Sequence, residues 1–411
     1  MNLTLSVSKP NPAATLKIFG SKSESNRLLI LQALFPHIEI NNLSDSDDTK
    51  LLQKALVSNK KTIDVGHAGT AMRFLTAYFS IQEGKEILLT GSERMQNRPI
   101  GILVEALQKL GADISYEKEP GFPPLRIRGR KLNNSQVQLS SNISSQYISA
   151  LMLIAPKLPG GLEIELQEQA VSFSYLEMTK SLLKKTGISC EINGNKIHVF
   201  SVSTLSPATI FVEPDWSSAS YFYSIVALSD SAEIRLQNFR NPKISYQGDS
   251  VVAKIYGKLG VETTFSGTGI ILKKIGGKLP GLLQLDLSNT PDLAQTIAVS
   301  CLGLKIPCKL LGLQTLKIKE TNRLLALKTE LEKCNAKVKI SENSLEMLPP
   351  ESLPDSVEID TYDDHRMAMA FAPLALKISI GINDAEVVSK SYPQFWQDLE
   401  KQGFSIKNPV K

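Results

Sequence analysis

The stretch ILVEALQKLGADISY, Ile102 to Tyr116, carries the reading that decides the fold. Its apolar residues Leu103, Val104, Leu107 and Leu110 recur at spacings of three and four, which predicts an amphipathic helix. Gly111 follows, the residue type that ends a helix in a left-handed cap. Then Ile114 stands between polar neighbours, the alternation of a strand. The same phrase returns as YLEMTKSLLKKTGISCEI (Tyr175 to Ile192), SVVAKIYGKLGVETTF (Ser250 to Phe265), LLALKTELEKCNAKVKI (Leu324 to Ile340) and FWQDLEKQGFSI (Phe395 to Ile406), with a weaker copy in DTKLLQKALVSNKKTIDV (Asp48 to Val65). The turn residues are Asn59, Gly111, Gly187, Gly260, Asn335 and Gly403; the first interval is 52 residues and the other four lie between 68 and 76. Six copies at a near-constant period predict a repeat architecture.

One helix and one strand do not fill such a period. Alternating strands such as KEILLTG, LEIELQE, AEIRLQN and VEIDTY lie between the copies, with second helices such as SSASYFYSIVAL and PDLAQTIAVSCL. Each unit therefore reads as βαβαββ, and six units divide as three plus three. A joint is expected near SPATIFVEPDWSS, Ser206 to Ser218. The 411 residues exceed one ordinary core and suit two lobes, with ligands expected in a cleft between them.

Composition narrows the class. Hydrophobic residues make up 42% and charged residues 21%, as in a soluble globular protein. No apolar run reaches the length of about eighteen residues that marks a membrane-spanning helix. The opening MNLTLSVSKPNP lacks the look of a signal or transit peptide, so a cytoplasmic chain is expected. Cys190, Cys301, Cys308 and Cys334 form no CxxC pair and have no His at ligand spacing, which reads as four reduced thiols. The net charge is +5, but Lys and Asp/Glu are interleaved and no basic block stands out. Arg126, Arg128 and Arg130 alternate along one expected strand, the pattern of a solvated sheet face.

The chemistry gathers at helix starts. GSKSESNRLLILQAL (Gly20 to Leu34) offers Ser21 or Ser23 as a cap, with Lys22 and Arg27 in the first turns. GHAGTAMRFLTAYF (Gly66 to Phe79), SNISSQYISALMLIAP (Ser141 to Pro156), KETNRLLALKTEL (Lys319 to Leu331) and TYDDHRMAMAFAPLAL (Thr361 to Leu376) repeat the construction, SNISSQYISALMLIAP with Ser144, Ser145 and Gln146 before the apolar run. A helix N-terminus carries free N–H groups and partial positive charge, and it binds anions. Polar caps before apolar helices are also simply how helices begin. Arginine use favours the anion reading: the chain has 11 Arg against 35 Lys, yet Arg27, Arg73, Arg94, Arg98, Arg323 and Arg366 all fall in these segments or in GSERMQNRPIG. Arg grips phosphate or carboxylate at two points. Arg73 and Arg98 read instead as structural salt bridges. Asp292, Glu320, Asp363, Asp364 and His365 are the acid–base candidates among these cations, and Asp292 reads equally as a helix cap.

Taken in order, GSKSESNR, GHAGTAMR, GSERMQNRPIG, SSQYISALM, VEPDWSSASYF, KETNRL, DDHRMAMAF and SKSYPQFW resemble the motifs of the 5-enolpyruvylshikimate-3-phosphate synthase family of enolpyruvyl transferases, over residues 20 to 396. The resemblance implies an α/β, two-lobed fold with three βαβαββ repeats per lobe and the active site in the interlobe cleft. It implies one lobe from residues 20–213 and the other from 1–19 with 214–411, joined by two chain crossings. The implied reaction moves the enolpyruvyl group of phosphoenolpyruvate to the 5-hydroxyl of shikimate 3-phosphate and releases phosphate, with no metal and no organic cofactor. By the same resemblance Lys22, Gly69, Arg94, Gln146, Arg323, Arg366 and Lys390 clamp phosphoenolpyruvate. Ser23, Arg27, Ser144, Ser145, Gln146, Ser172, Tyr175, Asp292 and Lys319 hold shikimate 3-phosphate. Asp292 is the implied base for the hydroxyl, Glu320 the implied proton shuttle at carbon, and Lys22 the implied aid to phosphate departure, with His365 a supporting hydrogen bonder. A monomer is expected, with only small-molecule partners.

Five positions depart from the family pattern: His67, Phe74, Phe173, Thr315 and Asn322. None removes a charged catalyst, and Phe173 replaces a common Lys. The sister enzyme that acts on UDP-N-acetylglucosamine usually carries a Cys in the loop matching GSERMQNRPIG, and this loop has none. A non-catalytic phosphoanion-binding or nucleic-acid-binding protein is a third reading, but it has no use for Asp292 and Glu320 among the cations.

Overall fold

The computed structural model describes residues 1–9, 11, 13–139, 144–167 and 172–407, and only the backbone of Ile318. Residues 141–143 of the third helix-start motif lie outside these. The chain forms two compact units, one continuous (20–212) and one made of residues 1–19 and 213–411.

The stretch from Ile102 to Tyr116 sits inside a complete repeat of the continuous unit. Strand Thr62–Asp64 leads into helix Gly69–Ser80, strand Glu86–Thr90, helix Gly101–Lys109 and the strands Asp113–Tyr116 and Leu125–Arg128. The first two strands pair in parallel, and the second pairs antiparallel with the fourth, with Ile87 opposite Ile127. The third strand closes the edge. The same order recurs from Gln136–Leu139 to Lys196–Val199 and from Leu283–Asp286 to Ser344–Leu348. Parallel pairing needs a helical crossover and antiparallel pairing only a tight turn, so this order follows from the βαβαββ sequence.

The other three sheets are built from distant pieces. Strand Ala13–Leu16 pairs in parallel with Glu233–Gln237, so the continuous unit is inserted between two neighbouring strands. In the last sheet Leu3–Leu5 lies between Ser379–Ile382 and Ile406–Lys407, with Leu5 opposite both Ile380 and Ile406. Ala208–Phe211 pairs in parallel with Ile38–Asn41 in a two-stranded sheet.

Left-handed turns close the helix–strand phrase at Gly111, Gly187, Gly260, Asn335 and Gly403, but not at Asn59. Strands show the expected alternation: Leu162, Ile164 and Leu166 of one strand are buried and its two glutamates are half-exposed. Arg126 and Arg128 share a face and pair with Glu86, Glu117 and Asp113, while Arg130 lies beyond the strand.

Within each unit a set of helices is apolar nearly all round, the mark of an interior position. In Gly69–Ser80 every residue but Thr70 is buried, in Ser145–Ile154 every residue but Gln146, and in Trp216–Leu228 every residue but Ser217. Each exception sits in a first turn. The buried helices therefore show polar groups at their N-termini, and the candidate site residues are found there.

Candidate active site

In the continuous unit Ser21, rather than Ser23, caps helix Lys22–Leu34, accepting a hydrogen bond from the Glu24 amide. Lys22 is its first residue, and its Nζ lies 3.2 Å from Asp48 Oδ2. Arg27 is buried one turn further on. Its guanidinium donates to three neutral oxygens: Thr179 Oγ1 at 2.7 Å, Ser23 O at 2.8 Å and Ser149 Oγ at 3.1 Å. The Phe74 and Tyr175 rings lie 5.5 and 5.8 Å from it. Burial pulls its pKa down to about 10. Tyr175 and the buried Glu24 act against that shift, and a cation bonded to hydroxyls and a carbonyl beside ring faces can also receive an anion. Arg27 thus joins its own helix, at Ser23, to the helices carrying Phe74, Ser149, and Tyr175 with Thr179.

Ser144 caps helix Ser145–Ile154 through the Gln146 amide. Ser172 precedes helix Phe173–Lys185 in a left-handed conformation, φ 60°. A Cβ on Gly69 would come within 2.5 Å of Arg98 Nη1, so any larger residue displaces that guanidinium. Arg73 gives hydrogen bonds to the Gly69 and Pro99 carbonyls. Arg94 is exposed on a short helix, Glu93–Gln96, whose cap Ser92 lies 2.9 Å from His67 Nδ1.

The discontinuous unit holds the charged cluster. Arg323 opens helix Arg323–Lys333, capped by Asn322 Oδ1 on the Leu325 amide. Its fork reaches three carboxylates: Asp364 at 2.5 Å, Asp292 at 2.8 Å and Glu320 at 2.6 Å. Burial lowers its pKa, but Asp364, Glu320 and Asp292 outweigh that and hold it protonated. Asp292 also takes Arg366 Nη2 at 3.1 Å and Lys319 Nζ at 3.5 Å. Burial pushes the Asp292 carboxyl up, yet Arg366, Lys319 and Arg323 together hold it far below the usual range. Its carboxylate is thus spent on cations, and no side chain caps the Ala294–Gly303 helix that follows. Burial lowers the Lys319 pKa, with Asp292 acting against it. Asp364 caps helix His365–Phe371, and Lys390 Nζ donates to the Asp363 carbonyl at 2.6 Å.

The departures have visible consequences. Phe74 supplies one ring against Arg27. Asn322 serves as a cap. The buried hydroxyl of Thr315 has no hydrogen-bond partner among the described residues. Phe173 is half-buried and brings no charge.

Sequence reasoning passed over two residues here. Ser217 donates to Asp249 and lies 3.5 Å from Arg366 Nη2. Asp249 is buried, and burial first, then the nearby Asp292, raises its pKa to about 6. Ser217 was legible as a helix-start serine in VEPDWSSASYF, whereas Asp249 carried no signal beyond a helix start of its own.

The protein resembles known proteins over nearly its whole length. A 3-phosphoshikimate 1-carboxyvinyltransferase of Bacteroides fragilis is 47% identical over 96% of both chains. One from Shewanella piezotolerans is 35% identical, covering 93% of this chain and 95% of its own. A solved EPSP synthase from Acinetobacter baumannii superposes with a TM-score of 0.76 at 20% identity, covering 99% of this chain and 100% of its own, a likeness of fold. The family model for EPSP synthase (3-phosphoshikimate 1-carboxyvinyltransferase) matches residues 51–399. With the repeat topology and the cation–carboxylate cluster already in place, these matches establish that the chain belongs to the EPSP synthase family.

Proposed function

We propose that this chain transfers the enolpyruvyl group of phosphoenolpyruvate to the 5-hydroxyl of shikimate 3-phosphate, releasing phosphate, as a step in aromatic amino acid biosynthesis. Family membership supports the reaction. The observation that carries the mechanism is Asp292, held ionised by three cations with Glu320 on the shared Arg323.

Two anionic substrates must be drawn in, one hydroxyl deprotonated and one carbon protonated and deprotonated in turn. The hydroxyl oxygen bonds to C2 of phosphoenolpyruvate as C3 takes a proton. The C2–O bond to phosphate then breaks as C3 gives a proton up. Asp292 accepts the hydroxyl proton in this reading, and Glu320 delivers and recovers the proton at C3. A carboxylate so strongly paired is a weak base. An incoming phosphate or carboxylate competes for Arg366 and Lys319, and this frees Asp292 to act.

Lys22, Gly69, Arg94, Gln146, Arg323, Arg366 and Lys390 are assigned to phosphoenolpyruvate, with Lys22 aiding phosphate departure. Ser23, Arg27, Ser144, Ser145, Gln146, Ser172, Tyr175, Asp292 and Lys319 are assigned to shikimate 3-phosphate. Arg27, a buried cation whose guanidinium hydrogen-bonds to two hydroxyls and a carbonyl, suits an anionic group of that substrate. Residues 20–213 and 1–19 with 214–411 are read as the two substrate-handling lobes. No helix of the described residues is long and apolar enough to cross a membrane, and we read the protein as a cytoplasmic monomer.

Phosphate release on mixing protein with phosphoenolpyruvate, with and without shikimate 3-phosphate, tests the reading. Release should require both and fall by about a hundredfold or more in Asp292→Asn and Glu320→Gln. Release with UDP-N-acetylglucosamine in place of shikimate 3-phosphate, or none with either, overturns it.

A further inference from the structure

Two adjacent residues before helix His365–Phe371 are left-handed without being glycine: Tyr362 at φ 54° and Asp363 at φ 58°. Asp adopts this region with some ease, but a bulky residue such as Tyr rarely does. Such a turn persists only where its surroundings hold it. It opens directly into Asp364, His365 and Arg366, and the Asp363 carbonyl receives Lys390 Nζ. Arg366 and Lys390 both belong to the proposed phosphoenolpyruvate clamp.

Helix Arg323–Lys333 holds the turn at two points. Arg323, its first residue, grips Asp364 after the turn. Glu330, two helical turns on, faces the same side and is fully buried. Its Oε1 accepts from the Tyr362 hydroxyl at 2.6 Å, and its Oε2 accepts from the Asp360 amide at 3.2 Å. Lys333 Nζ neutralises it at 2.9 Å and also reaches Asp360 Oδ2 at 2.8 Å. Asn383 holds the other Asp360 oxygen at 2.8 Å. A carboxylate buried at this depth costs free energy unless fully bonded, and this one is bonded to the turn itself.

We infer that Glu330 is a positioning residue for the proposed reaction, holding the left-handed turn Tyr362–Asp363 so that Arg366 and the carbonyl anchoring Lys390 stay in place. It touches no substrate. The inference rests on the functional reading above only for the identity of the clamped ligand, phosphoenolpyruvate.

Glu330→Gln keeps the side chain's shape but can no longer accept from both the phenol and the amide, and it loses its charge to Lys333. The first measurement is amide hydrogen exchange across residues 360–366, which needs no activity. Exchange there should quicken by about tenfold in the variant, the scale set by one strained residue, while the first turn of helix Arg323–Lys333 stays unchanged. The second is steady-state kinetics. KM for phosphoenolpyruvate should rise by about tenfold and KM for shikimate 3-phosphate by less than about twofold. Tyr362→Gly removes both the strain and the phenol, so adding Glu330→Gln to it should cost less than about threefold. Tyr362→Phe, which leaves Glu330 paired with Lys333, serves if Glu330→Gln does not fold, and the same local quickening is expected of it. Unchanged exchange in both variants, or equal rises in both KM values that Tyr362→Gly does not relieve, overturns the inference. A wild type that turns over neither substrate overturns the functional reading alone, and the exchange result still decides the role of Glu330.

Discussion

Asp249 and Asp292 share one neighbourhood and are pushed in opposite directions. Asp292 has three cations within reach and stays ionised. Asp249 has Ser217 as its bonded partner, Arg366 at longer range and the charges of Asp292 and Asp215 against it, and its pKa rises to about 6. A carboxyl raised in the folded state favours folding below its unfolded pKa, near 4, and loses that contribution as pH rises through about 6. Above that window a buried charge is carried at a cost of about 3 kcal/mol. Asp249→Asn, which resembles the protonated form, should match wild type in chemical denaturation at about pH 4 and exceed it by up to about 3 kcal/mol at about pH 8. An equal difference at both values would remove the ionisation argument. At this scale the sequence was legible where arginine replaced lysine at helix starts, as at Arg27, Arg323 and Arg366. It was silent on Asp249 because a carboxyl's neighbours are fixed by tertiary packing, and Asp249 lies far along the chain from Ser217 and Asp292.

At the scale of elements, helix Arg323–Lys333 organises much of the charged cluster, because its first residue is Arg323 and its two-turn neighbour is Glu330. Its start depends on Asn322, whose side chain satisfies the Leu325 amide. Asn322→Ala should cost about 1 kcal/mol in urea unfolding. Asn322→Asp should retain the cap and gain a few tenths from the helix dipole, about 0.3 kcal/mol or more. If alanine is neutral, the cap is not what fixes the first turn. Helices of this kind were legible because the 3.6-residue pattern and a Gly or Asn stop signal are local, as Gly111 and Asn335 show. Asn59 carried the same residue signal without the left-handed turn. There the helix ends earlier, at Leu56, and the chain does not use that position as its cap. Strand partners such as Leu5 and Ile380 were beyond local reading, since nothing nearby in sequence encodes a pairing across most of the chain.

At the scale of the molecule, the insertion of residues 20–212 into a sheet of the other unit raises the question of which parts fold alone. Both ends of the inserted segment are stitched within it. Strand Ala208–Phe211 pairs with Ile38–Asn41, the Val212 amide donates to Asn41 O at 2.9 Å, and Asn42 Nδ2 donates to Val212 O at 2.9 Å. A Cβ on Gly20 would lie 1.8 Å from Asn42 O and 2.8 Å from Val212 Cγ1, so glycine is what lets the entering chain pass so close to the exit. On the other side of the crossing the Asp215 amide donates to Phe19 O at 3.2 Å, which keeps the flanks adjacent without help from the insert. The segment is of ordinary domain size and carries its own buried helices. Residues 20–212 expressed alone should therefore fold and unfold cooperatively in denaturant, with native-like near-ultraviolet circular dichroism. Residues 20–207, lacking the strand that pairs with Ile38–Asn41, should lose stability by several kcal/mol, about 3 or more, because a parallel partner and its buried Ile210 are gone. A broad, non-cooperative transition in the longer fragment would mean that its core depends on the rest of the chain. Equal stability of the two fragments would mean that the crossing strand belongs to the junction and not to the unit.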